Sequence, residues 1–126
     1  MRAHPAYKLA WNTLGGLLMQ RQRYGEGRTA LEQAVSIDEE FHAARHGLAR
    51  CLVHTRDLLG AHAQLEHLSK VTPNDVSVLK DYAVVTERLG DFEHTAALRE
   101  RAIALAPDDP RLIADHANLL HSVRRF

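Results

Sequence analysis

The sequence predicts an all-α chain of stacked helix pairs, an α-solenoid, and three observations carry that prediction. Apolar positions recur at a spacing of 34 residues with no insertion. Within each period they fall three and four apart, the spacing of one helix face. No segment alternates strictly enough to make a strand. Shifted by 34, Leu14 meets Leu48 and Tyr82, and Gly15 meets Ala49, Ala83 and Ala117. Leu17 meets Cys51, Val85 and Leu119, while Tyr24 meets Leu58, Phe92 and Phe126. Ile37 meets Val71 and Leu105, and Pro73 meets Pro107. Each unit of such an array buries its apolar face only by stacking on its neighbours, so these positions are the expected core.

Seven helices are expected, at roughly 5–21, 24–37, 42–55, 58–70, 76–88, 92–105 and 110–124. The first carries Trp11, Leu14, Leu17 and Leu18 on one face, the second Leu31, Ala34 and Val35. Breaks within the repeats fall at 23–25, at Arg56-Asp57 and at Gly90-Asp91. Asp57 and Asp91 are expected N-caps, each accepting from amides that the first helical turn leaves unpaired. Pro73 and Pro107 end the helices before them, because proline lacks an N–H and restricts its predecessor. Asp109-Pro110 reads as an N-cap followed by proline at the first helical position. Arg21-Gln22-Arg23 and Arg124-Arg125 read as helix-end charges complementing the dipole. The repeats run about 8–41, 42–75 and 76–109, with a capping helix at 110–126, in one domain.

Composition narrows the function classes. The 126 residues are 45% hydrophobic and 25% charged, ordinary for a globular domain. Sixteen basic and sixteen acidic residues give zero net charge, which argues against a nucleic-acid or membrane-surface binder. No run is long and apolar enough for a spanning helix. The segment 9–19 is apolar enough to pass for a leader, but Asn12, Thr13 and Gly15-Gly16 interrupt it and no small-residue cleavage site follows. It reads as mature structure, and the expected compartment is the cytoplasm. Cys51 is a single cysteine, so no internal disulfide is available.

The chain resembles the tetratricopeptide repeat (TPR) family. The first repeat carries Trp11, Leu14, Gly15 and Ala34 of that motif, with Leu18, Gly27, Leu31 and Glu39 departing from it. The second carries Leu48, Ala61 and Pro73, with Arg45 where tryptophan would stand. The third carries Gly90, Phe92, Ala102 and Pro107, with Arg99 in place of an aromatic. Residues 110–126 match the first half of a fourth. The resemblance implies a right-handed superhelix whose first helices line a concave groove for a peptide or a partner's helix.

Candidate groove residues are those of the first helices that the core pattern leaves over. They are Asn12, Thr13, Gly16, Met19 and Gln20, then His46, Arg50 and His54. Lys80, Asp81, Val84, Glu87 and Arg88 follow, and the last helix adds Arg111, Asp115, Asn118 and His121. His46, Arg50 and His54 are four apart and share a face. They and Lys80 make the most cation-capable stretch, suited to an acidic or polar extended segment. Family members that clamp a chaperone's C-terminal carboxylate do so with lysine, arginine and asparagine. The matching residues here are Asn12, Gly16, Gly47, Ser77 and Asp81, which supply no cation, so chaperone-tail binding in that geometry is not expected.

Chemistry of the chain's own is not expected either. His42 and His46 have a metal-compatible spacing, but no carboxylate or cysteine pattern completes a site. Cys51 aligns with core positions, which disfavours a nucleophile beside His54. His116 is expected to be a packed, hydrogen-bonded core histidine. No phosphate loop, G-x-S-x-G or paired carboxylate frame is present. The expected function is therefore a non-catalytic interaction scaffold with a mixed-charge groove, without metal or cofactor. Two alternatives stand beside it. One is an accessory domain of a larger enzyme of sulfotransferase or glycosyltransferase type, since Phe126 aligns with residues that open second helices. The other is self-assembly through exposed end helices; should a partner not use the groove, the apolar faces of the end helices near Trp11 and Leu120 are the next candidates.

Overall fold

The computed structural model describes residues 5–124, and among them it contains helices and no strand. The helices are α1 Pro5–Gln20, α2 Tyr24–Ile37, α3 His42–His54, α4 Leu58–Val71, α5 Val76–Arg88, α6 Phe92–Leu105 and α7 Pro110–Arg124. The expected boundaries hold to within one residue. Of the residues read above, Arg125, Phe126 and the side chains of Leu119 and Arg124 lie outside what is described, so the reading of Arg124-Arg125 as helix-end charges does too.

The turn inside each helix pair is the same local device, built three times. Arg23, Asp57 and Asp91 donate their amides to the carbonyls of Leu18, Leu52 and Thr86, at 2.8, 2.8 and 2.9 Å. One residue earlier, Gln22, Arg56 and Gly90 donate to Met19, Val53 and Glu87. This pair of bonds is the Schellman closure of a helix C-terminus, and it requires a left-handed residue. That residue is Gln22 (φ 61°), Arg56 (φ 65°) and Gly90 (φ 84°), again 34 apart. Only the third is the glycine that this conformation favours.

Aspartates start the helices. Asp57 Oδ1 accepts from Gly60 N at 2.9 Å, and Asp91 Oδ1 accepts from His94 N at 3.3 Å. Asp109 Oδ1 accepts from the amides of Arg111 and Leu112. Asp75, not singled out in the sequence, caps α5 by accepting from Ser77 and Val78. Arg23 corrects an expectation. It occupies the N-cap of α2 and makes no side-chain cap, so its charge stands at the positive end of a helix dipole.

The chain divides into two compact units, residues 1–68 and 69–126. In the first, α1 packs on α2 and α3, and α2 on α3. Its core includes Leu31, Ala34, Leu48, Cys51, Leu52 and Leu65. In the second, α6 packs on α5 and α7. Its core includes Val78, Leu79, Tyr82, Val85, Leu98 and Ala102. A buried hydroxyl pair, Thr86 with Thr95 at 2.7 Å, stands among these apolar groups. It is satisfied further by the carbonyls of Ala83 and Asp91.

The repeat overstated burial at the edges. Leu14 and Leu17 are 42% and 52% exposed, whereas their equivalents Leu48 and Cys51 are buried. The contacts of α1 run to α2 and α3, and the outward half of its apolar pattern is left in solvent. Phe92, Val71 and Leu105 are exposed as well. Each stands in the first or last turn of its helix, where the chain meets a connection instead of a neighbouring face.

Candidate functional site

Among the described residues, two cavities open on the first helices, one in each unit. The cavity of the first unit has a volume of about 420 Å³. Helix α1 contributes Asn12, Gly16, Met19 and Gln20, spaced so that they follow one face. Helix α3 contributes Ala43, His46, Gly47 and Arg50, and Leu31 of α2 closes the floor. The floor is crowded from below. A Cβ on Gly15 would lie 2.5 Å from Leu31 Cγ, and one on Gly47 would lie 3.1 Å from Leu31 Cδ1. Those glycines let three helices approach around one leucine. Gly16 differs, since a Cβ there would meet nothing within 4 Å.

The cavity of the second unit is about 220 Å³. Its lining comprises Lys80, Asp81, Ala83 and Val84 of α5, Arg99 of α6, and Arg111, Leu112 and Asp115 of α7. Two of its cations are engaged internally. Lys80 Nζ donates to Asp109 Oδ2 at 3.2 Å, and Arg99 donates to Glu87 Oε2 at 3.0 Å and to the Asp115 carbonyl at 3.4 Å. Asp109 is held below its ordinary carboxylate value, chiefly by the hydrogen bond from Lys80.

The two cavities occupy equivalent places two repeats apart. Asn12 corresponds to Lys80, Gly16 to Val84, Leu31 to Arg99, Ala43 to Arg111 and Gly47 to Asp115. Where the first unit has glycine, alanine and leucine, the second has valine, two arginines and aspartate. The substituents occupy the space, and the volume halves.

Of the residues expected in a groove, Asn12, Gln20, His46 and Arg50 come together in the first unit. Lys80, Asp81, Arg111 and Asp115 come together in the second. Six do not join either lining, namely Thr13, His54, Glu87, Arg88, Asn118 and His121. His54 instead stacks on Tyr24, ring centroids 3.8 Å apart and planes 6° from parallel. Arg88 and Asn118 are exposed outside both cavities. The sequence reading missed Leu31, Ala43, Arg99 and Leu112 as lining residues. The two-period correspondence between Leu31 and Arg99, twice 34 residues, was the available signal.

The chemistry of the remaining candidates is inert or local. Cys51 is buried, and burial pushes its thiol up to about 11, far from a reactive thiolate. His42 lies 3.5 Å from Glu40 while His46 lines the cavity, so the pair does not converge. Among the described residues no three metal-ligating side chains cluster. His116 corrects the packed-core expectation in part. Its side chain is mostly buried with Nε2 3.5 Å from Glu100, but Nδ1 has no hydrogen-bond partner. No helix among the described residues is long and apolar enough to cross a membrane.

Antiparallel helix pairs in a 34-residue period, with cavities on the first helices, define a TPR-like α-solenoid. The family model described as "Tetratricopeptide repeat" matches residues 18–81, half of the chain. The chain belongs to the tetratricopeptide repeat family, whose domains are protein-interaction modules. No curated protein matches it in sequence. Solved structures match in fold at low identity. The first TPR of Spaghetti (RPAP3), bound to the HSP90 peptide SRMEEVD, is 10% identical over 98% of each chain, with a TM-score of 0.90. The first TPR domain of human RPAP3 is 11% identical over 97% of this chain and 96% of that one, at 0.87. The Arabidopsis OM64 TPR domain is 12% identical over 89% and 93%, at 0.84.

Proposed function

We propose that the protein is a non-catalytic scaffold that binds a partner segment against its first helices, through the cavity formed by α1 and α3. The observation that carries this reading is that cavity, whose lining joins the amides of Asn12 and Gln20, the imidazole of His46, the guanidinium of Arg50 and apolar groups. Burial of Cys51 supports the non-catalytic part. The reading includes a cytoplasmic compartment. The mixed-charge character belongs to the second unit, where Asp81 and Asp115 stand with Lys80, Arg99 and Arg111.

Chaperone-tail capture of the kind named for the Spaghetti structure is not part of this reading. Among the matching positions, Asn12, Gly16 and Gly47 line the first cavity and bring no lysine, while Asp81 would repel a terminal carboxylate. Photo-crosslinkers placed at Asn12 and Arg50, against a control at the exposed Gln33 of α2, test the proposal. Native lysate should yield one partner from the first two positions and none from the control. Capture from Gln33 alone would move the interaction to the second helices.

A further inference from the structure

The face of α1 that the repeat leaves bare has a definite form. Tyr7, Ala10, Leu14 and Leu17 lie three and four residues apart, on one side of the helix. One period on, Phe41, Ala44, Leu48 and Cys51 occupy the same positions. Ala44, Leu48 and Cys51 are buried, and so are Val78, Tyr82 and Val85 two periods on. In the first unit the cover is a helix. There α2 packs on α3, and a Cβ added to Gly27 of α2 would lie 3.4 Å from Cys51 Sγ. On α1 the same face meets solvent: Tyr7 is 58% exposed, and Ala10, Leu14 and Leu17 are exposed with it. None of these four residues lines the cavity of the first unit. The stacking surface that α3 closes against α2 is thus repeated on α1 as an uncovered face shaped to receive a helix.

Charge and spacing identify the helix. Lys8, the single charged residue in the sequence of α1, is turned away to Asp38, its Nζ donating to Oδ2 at 2.6 Å. The other residues described as exposed on α1 are Leu9, Thr13, Gly16 and Gln20, none of them charged. Such a face has no charge with which to select a different partner, and it meets its own image without like-charge repulsion. The other end helix does not share this property: exposed residues of α7 include Arg111, Asp115 and His121 beside Ile113. A two-fold axis midway between Ala10 and Leu14 sets Ala10 opposite Leu14 and Tyr7 opposite Leu17, so that a small side chain meets a large one at the centre. That antiparallel arrangement also sends the two copies of Arg21, exposed in the turn after α1, to opposite ends, whereas a parallel one would bring them together. We infer that the chain forms a symmetric dimer through this face, α1 of one copy lying antiparallel to α1 of the second.

Sedimentation equilibrium of the full chain from about 1 to about 500 µM tests the dimer. One pair of helix faces is a small interface, so the mass should rise with concentration from 14.1 kDa toward twice that value within this range. Leu17→Glu buries a carboxylate without a partner and should raise the dissociation constant at least about tenfold while the helical circular dichroism stays native. Adding Tyr7→Lys to it supplies the opposite charge across the antiparallel pair and should recover at least about threefold of the loss. In a parallel pair glutamate would face glutamate, and nothing would be recovered. If either variant loses its native circular dichroism, Ala10→Glu alone and Ala10→Glu with Leu14→Lys give the same two readings. Sodium chloride should leave the unmodified dimer intact and weaken the charge-paired one.

A chain that stays at 14.1 kDa across the range overturns the inference, and a photo-crosslinker at Leu17 that then captures a different protein would give the face to that partner. A dimer that the single glutamate variants leave unchanged overturns it as well, as does a loss that the second charge fails to relieve. The scaffold reading uses the cavity and not this face, so crosslinking from Asn12 and Arg50 stands or fails separately.

Discussion

The cavity on α1 and α3 and the cavity on α5 to α7 use the same repeat positions to opposite ends. In the first, glycine and alanine leave room, and none of the lining residues is Asp or Glu. In the second, valine, arginine and aspartate occupy the room, and Lys80 and Arg99 are bonded to Asp109 and Glu87. A repeat fixes where its side chains point, not what they do there. Emptying a helical position to glycine costs helix stability.

The largest expected effect lies in the scaffold beneath the first cavity. Leu48→Ala or Leu52→Ala should cost about 2–5 kcal/mol in chemical denaturation, since both side chains are buried. Arg50→Ala, on the same helix and exposed, should stay within about 0.5 kcal/mol. Leu14→Ala, at the position equivalent to Leu48 but 42% exposed, should cost about 1 kcal/mol or less. Equal losses at Leu48 and Leu14 would mean that α1 is covered on its outer face.

Adjacent glycines sharpen the comparison between the cavities. Gly15→Ala should destabilise by about 1–3 kcal/mol, because the new methyl meets Leu31 at 2.5 Å. Gly16→Ala should stabilise by about 0.5–1 kcal/mol, the ordinary gain of alanine inside a helix. Thermal melts of the two variants should therefore move in opposite directions. A fall in melting temperature for Gly16→Ala would show that Gly16 serves internal packing after all.

The turns give a smaller, opposed pair. Gly90→Ala forces a side chain onto a left-handed residue and should cost about 1 kcal/mol. Gln22→Gly, at the equivalent turn of the first repeat, should gain up to about 1 kcal/mol. Denaturation midpoints moving the same way would contradict the shared closure.

The smallest effect is a pH dependence from the Lys80–Asp109 pair of the second unit. The folded pKa of Asp109 lies below its ordinary 3.8, first because Lys80 donates to it, against a lesser opposing desolvation. The stability this contributes is complete above about 3.8 and is lost as pH falls through the lowered value. Lys80→Met should flatten the acid side of a melting-temperature profile while leaving the neutral side nearly unchanged. An unaltered acid limb would show that the Lys80 pairing has no bearing on folding.

The fold was legible because its signals are local. Helical spacing, aspartate caps and proline stops act within a few residues, so the boundaries read from sequence hold to within one residue. The left-handed position at Gln22, Arg56 and Gly90 was visible only at Gly90, because the other two carry no residue-type signature of that conformation. The site was half legible. Asn12, Gln20, His46 and Arg50 could be placed on first-helix faces by spacing alone, but His54 could not be assigned to Tyr24, 30 residues away. Nor could Lys80 be assigned to Asp109, or Arg99 to a buried place beside Glu87.

The sequence by itself determined the period, the helices and the faces they present, because an i to i+4 geometry is fixed by the backbone. Only the tertiary structure decided which members of one repeat position are buried, which cations are paired, and which glycine is empty rather than packed. Gly15 and Gly16 are the same residue in adjacent positions of one helix. Leu31, brought from another helix, fills the space above one and leaves the other open.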